Sequence, residues 1–379
     1  MRTHIFLLLL IICSCEKGQI KDIKTVVERD LVTFSSDQIP SQLQRVINTH
    51  RIIILGETHY VQEHQEYIST ILENTSDDST IFITESFNAF NWMIEDYVNS
   101  KIDYLPNSVN YFDSYWINRI RNINNSERHV QIYFMDVNHW QDNFINSISE
   151  IEKIIGLIEE FQNIKQIKID SKEYTDELLL LKAKFEKEQD ILIQKYGSWY
   201  KRFFQLIDLE KESSDYRLSK NEDKREEFMT RLIIDLASKN PSKKIIINCG
   251  MYHAQKETLM GTGINRIGYF IKQEYPSQTY IIAFLGVKGV CKFHFYDESV
   301  VSFNLLNETK RHDLVNIIGN EAKNNYSFLI MDDEIFTEKM EVTYTTGSKK
   351  ILSPAKQFDA IITYPEISIL ISMGNYDYN

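Results

Sequence analysis

The 379-residue chain has little of what special architectures require. Its 4 cysteines are too few and too scattered for a disulfide-stapled fold, and none falls in a Cys-x-x-Cys or Cys/His zinc spacing. With 6 prolines and 13 glycines, collagen-like and Pro-rich low-complexity segments are excluded. Positive charge is in deficit: 42 Lys plus Arg face 54 Asp plus Glu, a formal net charge of −12. Such a balance argues against a surface that tracks phosphates, so nucleic acid is not an expected partner. What is plentiful is apolar and aromatic material, 43% hydrophobic residues with 21 Phe and 21 Tyr, ample for a large core.

The first residues stand apart from that core. After Met1-Arg2-Thr3-His4 the run Ile5 to Ile12 carries no polar residue and leads into Cys13-Ser14-Cys15. The pattern is that of a secretory signal, and the run is too short to span a bilayer, which takes about 20 residues. The cysteine resembles the lipobox of bacterial lipoproteins, so Cys15 is the expected acylated residue and residues 1–15 the segment to set aside. This places the protein at the cell envelope, on the membrane through a lipid anchor. Cys249 and Cys291 remain, both in strand-like runs; they read as buried free thiols, or as a pair if their strands are neighbours.

From residue 45 onward short β-branched runs alternate with amphipathic ones, after a lead-in over 16–44. The runs Arg51 to Leu55, Thr80 to Thr84, Gln131 to Met135, Lys244 to Asn248 and Thr279 to Phe284 are nearly continuous apolar stretches. Strands of that kind are buried on both faces, which predicts an α/β fold with a largely parallel sheet flanked by helices. Between Phe144 and Ser238 the rhythm changes to apolar steps of three and four, such as Phe144, Ile148, Ile151 and Ile155, predicting a long helical insertion. Its last helix is expected to be capped by Ser219 with Glu222 reciprocating, and to turn Phe228, Leu232 and Leu236 toward the sheet. Later runs, Val290 to Tyr296, Tyr326 to Met331, and Phe358 to Tyr364 continuing to Ile367 to Ser372, are expected to extend the sheet within one domain.

The chemistry gathers where strands end. The first run leads into Gly56-Glu57-Thr58-His59, the second into Glu85, the third into Asp136, Asn138 and His139, and the fourth into Gly250-Met251-Tyr252-His253. In open α/β sheets ligands bind at the carboxyl ends of strands, so these side chains are expected in one cleft with a small-molecule substrate. A carboxylate beside an imidazole fixes its tautomer and leaves the other nitrogen to take a proton.

The string Ile54-Leu55-Gly56-Glu57-Thr58-His59, the Glu85 strand, an arginine on the helix before the last motif (Arg225 or Arg231), Gly250 to His253, and the late Phe358-Asp359-Ala360-Ile361-Ile362 together resemble the erythromycin esterase-like family, related to ChaN-like haem-binding lipoproteins and the Tiki and TraB group. The resemblance implies a hydrolase acting on ester bonds, with His59 as general base, Glu57 and Glu85 orienting and polarising, His253 assisting, and Arg225 as cationic partner. The family's last motif reads His-x-x-His where this chain has Gly250-x-x-His253, and the stretch Tyr60 to Asn74 lacks the arginine expected after the first motif. The Gly-x-x-His form is closer to the Tiki and TraB group, where a divalent metal is implicated, with Glu57, Glu85 and His253 as the candidate ligands. Two further readings compete. One is a binder of haem or iron through Tyr60, Tyr252 or His64; the other uses Cys249 as a nucleophile beside His253.

Overall fold

The computed structural model describes residues 22–75, 80–106, 109, 113–126, 128–139, 142–258, 263–292, 300–307, 313–345 and 349–370, so Cys15 lies outside the described residues. Its strands are β1 (Val32–Phe34), β2 (Ile52–Glu57), β3 (Thr80–Phe87), β4 (Val130–Asp136), β5 (Lys244–Gly250), β6 (Thr279–Gly286), β7 (Lys288–Lys292), β8 (Val300–Asn304), β9 (Tyr326–Ile330), β10 (Met340–Thr343), β11 (Lys349–Leu352) and β12 (Ala360–Tyr364). Eight of them form one sheet in the order β1-β9-β12-β6-β2-β5-β3-β4. The six from β12 to β4 run parallel, while β9 is antiparallel to β12 and β1 antiparallel to β9. The predicted α/β architecture is therefore found, and the lead-in adds an edge strand to it.

The apolar runs form strands of a sheet covered on both faces, with β2, β3, β5 and β6 in its interior and β4 at its edge. Ile52, Ile53, Ile54 and Leu55 have no exposed surface, and their side chains alternate between two cores. Ile53 and Leu55 join the core under helices Ser41–Thr49, Gln62–Thr75 and Asn91–Val98; Ile52 and Ile54 join the one under helices Ile23–Asp30, Glu222–Lys239 and Ile267–Glu274. Burying each such side chain is worth roughly 1.5–3 kcal/mol, and a one-residue slip would exchange the two sets, so the register is fixed.

Between β4 and β5 lies the helical lobe, with helices Asn143–Ile155, Lys172–Lys187, Gln189–Tyr196 and Trp199–Ser219 before Glu222–Lys239 returns to the sheet. Gly156, at φ 89°, stops the first of these, so Ile155 stays part-exposed and Ile158 is buried from a loop rather than from the helix seam. The lobe's centre is aromatic: Phe161 lies 6.0, 5.7 and 5.4 Å, between ring centroids, from Phe144, Phe185 and Phe203.

Three expectations change. Ser219 does not cap the last helix. It ends the helix before, its hydroxyl donating to the Asp215 carbonyl, and after Lys220 turns through left-handed φ 49° it is Asn221 whose side chain accepts from the Asp223 and Lys224 amides. The turn between two helices needs those residues, which moves the cap along the chain. Val290 does not extend the main sheet, because β7 starts two residues after β6 and no crossover fits in that length. Both edges of β6 are already taken by β2 and β12, and β7 pairs with β8 in a separate ribbon. Ile367 and Ile369 make only isolated bridges, to Gly289 and Val61, and the expected run beyond residue 370 lies outside the described residues.

Candidate active site

The strand ends do converge. Glu57 ends β2, Glu85 lies near the end of β3, Asp136 ends β4, and the turn after β5 carries His253. Since β5 lies between β2 and β3, its glycine end separates Glu57 from Glu85. A Cβ on Gly250 would sit 2.9 Å from Nε2 of His59, so this position accepts the imidazole only while it is glycine. The Gly250 amide in turn donates to Oε2 of Glu85 at 2.7 Å.

Glu85 is the hub. Its Oε1 accepts from Nη2 of Arg225 at 2.7 Å and lies 3.1 Å from Nε2 of His253; its Oε2 lies 3.8 Å from Nε2 of His59. Burial alone would raise this carboxyl, but His253, His59 and Arg225 hold it well below the usual carboxylate range. Arg225 bridges to the next strand: Nε and Nη2 both donate to Asp136, each at 2.8 Å. Asp136 is likewise held low against its burial by Arg225 and His139. The guanidinium stays charged, since the carboxylates around it outweigh the cost of burying it. Of the two arginines left open by the sequence, Arg231 is largely exposed, paired with Glu212 away from the cluster.

His253 has carboxylates at both ring nitrogens, Glu85 at Nε2 and Glu226 at Nδ1. Burial lowers an imidazole, yet these two anions push it up to about 10, so at neutral pH it is a cation. Glu226 is itself fixed by Arg266 at 2.7 Å and by the Ile267 amide at 3.2 Å. Neither Glu226 nor Arg266 was singled out from the sequence. The signal for Glu226 was its helical phase: with Arg225, Met229, Ile233 and Ala237 it lies on the buried stripe of Glu222–Lys239.

His59 is different. Its Nδ1 lies 3.2 Å from Oε1 of Glu57, and 42% of its side chain is exposed. Crowding by the protein lowers its proton affinity, but Glu57 and Glu85 leave the ring raised above its ordinary value. Nε2, 3.8 Å from Oε2 of Glu85 and without a hydrogen bond among the described residues, is the atom left for chemistry. The other first-motif residues lie elsewhere. The helix begins at Gln62, after Tyr60 at φ 66°, so His59 and Glu63 share no helix face, and Glu63 binds the Ser368 amide and hydroxyl at 2.7 and 2.6 Å. His64 is fully buried beside Tyr364, its Nδ1 accepting from the Thr58 amide at 3.1 Å, and burial drives its pKa down to about 3. It does not border the cleft and is out of reach of haem.

The donor set does not suit a metal at Glu57, Glu85 and His253. Both nitrogens of His253 face carboxylates, and Glu85 is already surrounded by Arg225, His253 and the Gly250 amide. Cys249 is fully buried within β5, and burial raises its thiol well above the usual value, so it is no nucleophile. Cys291 is also buried, and both are free thiols. Asp359, from the late motif, sits at the start of β12 and pairs with Lys256 at 2.7 Å, apart from the cluster.

This arrangement belongs to a mostly parallel α/β fold with an acid–base cluster at its strand ends. The fold is shared with a Bacillus cereus protein over 92% of this chain and 97% of that one, at TM-score 0.69 and 15% identity. A succinoglycan biosynthesis protein matches over 92% and 97%, at TM-score 0.68 and 12% identity. A mutant of the erythromycin esterase EreC in its open conformation matches over 89% and 98%, at TM-score 0.61 and 13% identity. The fold is thus that of erythromycin esterase EreC, as the sequence motifs implied. No protein-family model and no curated protein matches the sequence.

Proposed function

We propose that the protein is a hydrolase of small-molecule esters in which His59 is the general base. The observation that carries this reading is the division of labour in its ring: Nδ1 is taken by Glu57, while Nε2 has no hydrogen bond among the described residues and lies 3.8 Å from a buried carboxylate. Glu57 fixes the tautomer that leaves a lone pair on Nε2. As a water oxygen attacks the acyl carbon, Nε2 takes its proton, and the imidazolium that forms lies next to Glu85. That carboxylate stays ionised because Arg225 and His253 surround it, so it favours the charged ring at the moment it forms.

His59→Ala is expected to lower kcat by roughly 10²-fold to 10⁴-fold, the usual worth of a positioned base. Glu85→Gln should lose nearly as much, and the double variant little more than either single one. Turnover and melting temperature measured on the same preparations decide the matter. Unchanged turnover in a stable His59→Ala protein removes the assignment, and a loss that only follows the folded fraction makes His59 structural.

The N-terminal reading belongs to the same proposal: acylated Cys15 holds the enzyme at the cell envelope. No described helix is long and apolar enough to cross a membrane. Cys15→Ala should therefore free the protein from membrane fractions; a variant that stays with them, its fatty-acid content undiminished, would refute the anchor.

A further inference from the structure

The strand ends hold a second carboxylate–imidazole pair that the general-base reading does not use. His139, three residues beyond the end of β4, places Nε2 3.0 Å from Oδ2 of Asp136. Asp136 is immobilised from every side: Arg225 holds both its oxygens and the Val137 amide donates to Oδ1 at 2.8 Å. The ring itself is gripped by the Tyr216 ring at 4.9 Å, edge-on, and by Phe87 at 5.7 Å. Tyr216 comes from the helical lobe, and the same helix grips the preceding residue. Ser213 accepts from the Asn138 amide at 2.9 Å, and Arg217 donates to the Asn138 carbonyl at 2.7 Å. An imidazole is thus fixed in orientation by three elements, while its Nδ1 has no partner among the described residues and 27% of the side chain is exposed.

The pair is joined to the first one. A single atom, Nη2 of Arg225, donates to Glu85 at 2.7 Å and to Asp136 at 2.8 Å, so the carboxylate beside His59 and the carboxylate beside His139 flank one guanidinium. The other cations of the cluster are spent. Arg225 is engaged by Glu85, Asp136 and Glu222, His253 by Glu85 and Glu226, and Arg266 by Glu226. Among the described residues of the cluster, the ring nitrogens without a carboxylate within hydrogen-bonding distance are Nε2 of His59, 3.8 Å from Glu85, and Nδ1 of His139.

We infer that His139 is the general acid of the proposed hydrolysis, which fits the site to esters of unactivated, alkyl-type alcohols. This rests on the hydrolase reading above. Water loses a proton to Nε2 of His59 as its oxygen bonds to the acyl carbon. When the resulting intermediate collapses, the bond from that carbon to the alcohol oxygen breaks, and His139, having taken a second proton from solvent at Nδ1 while Asp136 holds the first at Nε2, passes that second proton to the leaving oxygen. The products are the acid and the alcohol. The proton on His59 goes to solvent and His139 regains one, so the step balances without a further reactant. An alkoxide is a poor leaving group and needs that proton; a nitrophenolate does not.

The test uses p-nitrophenyl butyrate and ethyl butyrate with the whole protein, comparing wild type, His139→Ala and His139→Gln, with melting temperatures for all three. Loss of the general acid should raise the ratio of kcat/KM for the nitrophenyl ester over the ethyl ester by about 10²-fold. An unchanged ratio in a folded variant overturns the assignment. If His139→Ala does not fold, the glutamine variant, which keeps a hydrogen-bonding group at that place, gives the same reading. His59→Ala should depress both esters together. Should it do so while the His139 ratio stays flat, the base stands and the acid falls. If wild type turns over neither ester, the hydrolase reading and this inference fall together.

Discussion

Two buried ionic clusters among the described residues differ in one respect. In the helical lobe, Arg217 pairs with Glu210 at 2.6 Å and Asp170 at 2.8 Å, Tyr174 donates to Glu210 at 2.9 Å, and Asn138 donates to it at 3.0 Å. Neither the Glu210 nor the Arg217 side chain has any exposed surface. All three Arg217 nitrogens donate, and Asp170, 28% exposed, is where that cluster reaches solvent. At the strand ends the same residue types are assembled, but two imidazole nitrogens, Nε2 of His59 and Nδ1 of His139, have no carboxylate within hydrogen-bonding distance. The closed network holds the lobe to the loop after β4; the open one can exchange a proton. A buried charge is therefore no sign of function by itself. The unsaturated atom is.

Breaking the closed cluster should have the largest effect on stability. Arg217→Ala strands Glu210 without its cation, and losses of about 3–5 kcal/mol are usual for half of a buried pair. Chemical denaturation would measure it, and whatever protein remains folded should keep the wild-type ratio between substrates. An altered ratio would mean that the lobe cluster also tunes the site, blurring the distinction drawn above.

A smaller and more specific effect comes from His253. Its folded-state pKa of about 10 lies above the ordinary imidazole value, so its contribution to stability is complete below the unfolded pKa of about 6.5 and is lost as pH rises through about 10. Between those limits unfolding free energy should fall with a slope of at most about 1.4 kcal/mol per pH unit. Glu226→Gln removes one of the two anions responsible and should flatten the slope. A slope equal in wild type and variant would show that Glu226 does not hold the ring charged. Glu85 and Asp136, both held low, act in the opposite direction: their contributions are present above the unfolded carboxylate range and lost as pH falls toward their folded values.

Much of this was legible in the sequence because parallel strands covered on both faces must be apolar, and the five runs read that way are β2 to β6, four of them interior to the sheet and β4 at its edge. The ionisable residues behind four of them could be read as a group because chain direction places all parallel strand ends at one edge. What escaped was side-chain phase. Phe228 joins the core as expected and Leu232 and Leu236 pack half-buried against it, but the buried stripe also carries Arg225, Glu226, Met229, Ile233 and Ala237. An arginine and a glutamate inside an apolar stripe look like a solvated face until their partners Asp136 and His253, distant in sequence, are in view. The same holds for Asn221, which caps only because Lys220 adopts a conformation that no pattern of residue types announces.

The place of β5 has a bearing on how the protein comes into being. It is wedged between β2 and β3, although it follows them by some 160 residues or more in the chain, and it is the strand that separates Glu57 from Glu85. A nascent chain that has been synthesised only as far as the lobe holds two largely apolar strands, each with an edge open, that cannot yet be neighbours. Glu57 and Glu85 are not yet brought together at that stage. Pairings so distant are slow to close and leave edges available to other chains meanwhile. The insertion of one late strand thus joins β2 to β3, covers one edge of each and brings Glu57 and Glu85 to the same place.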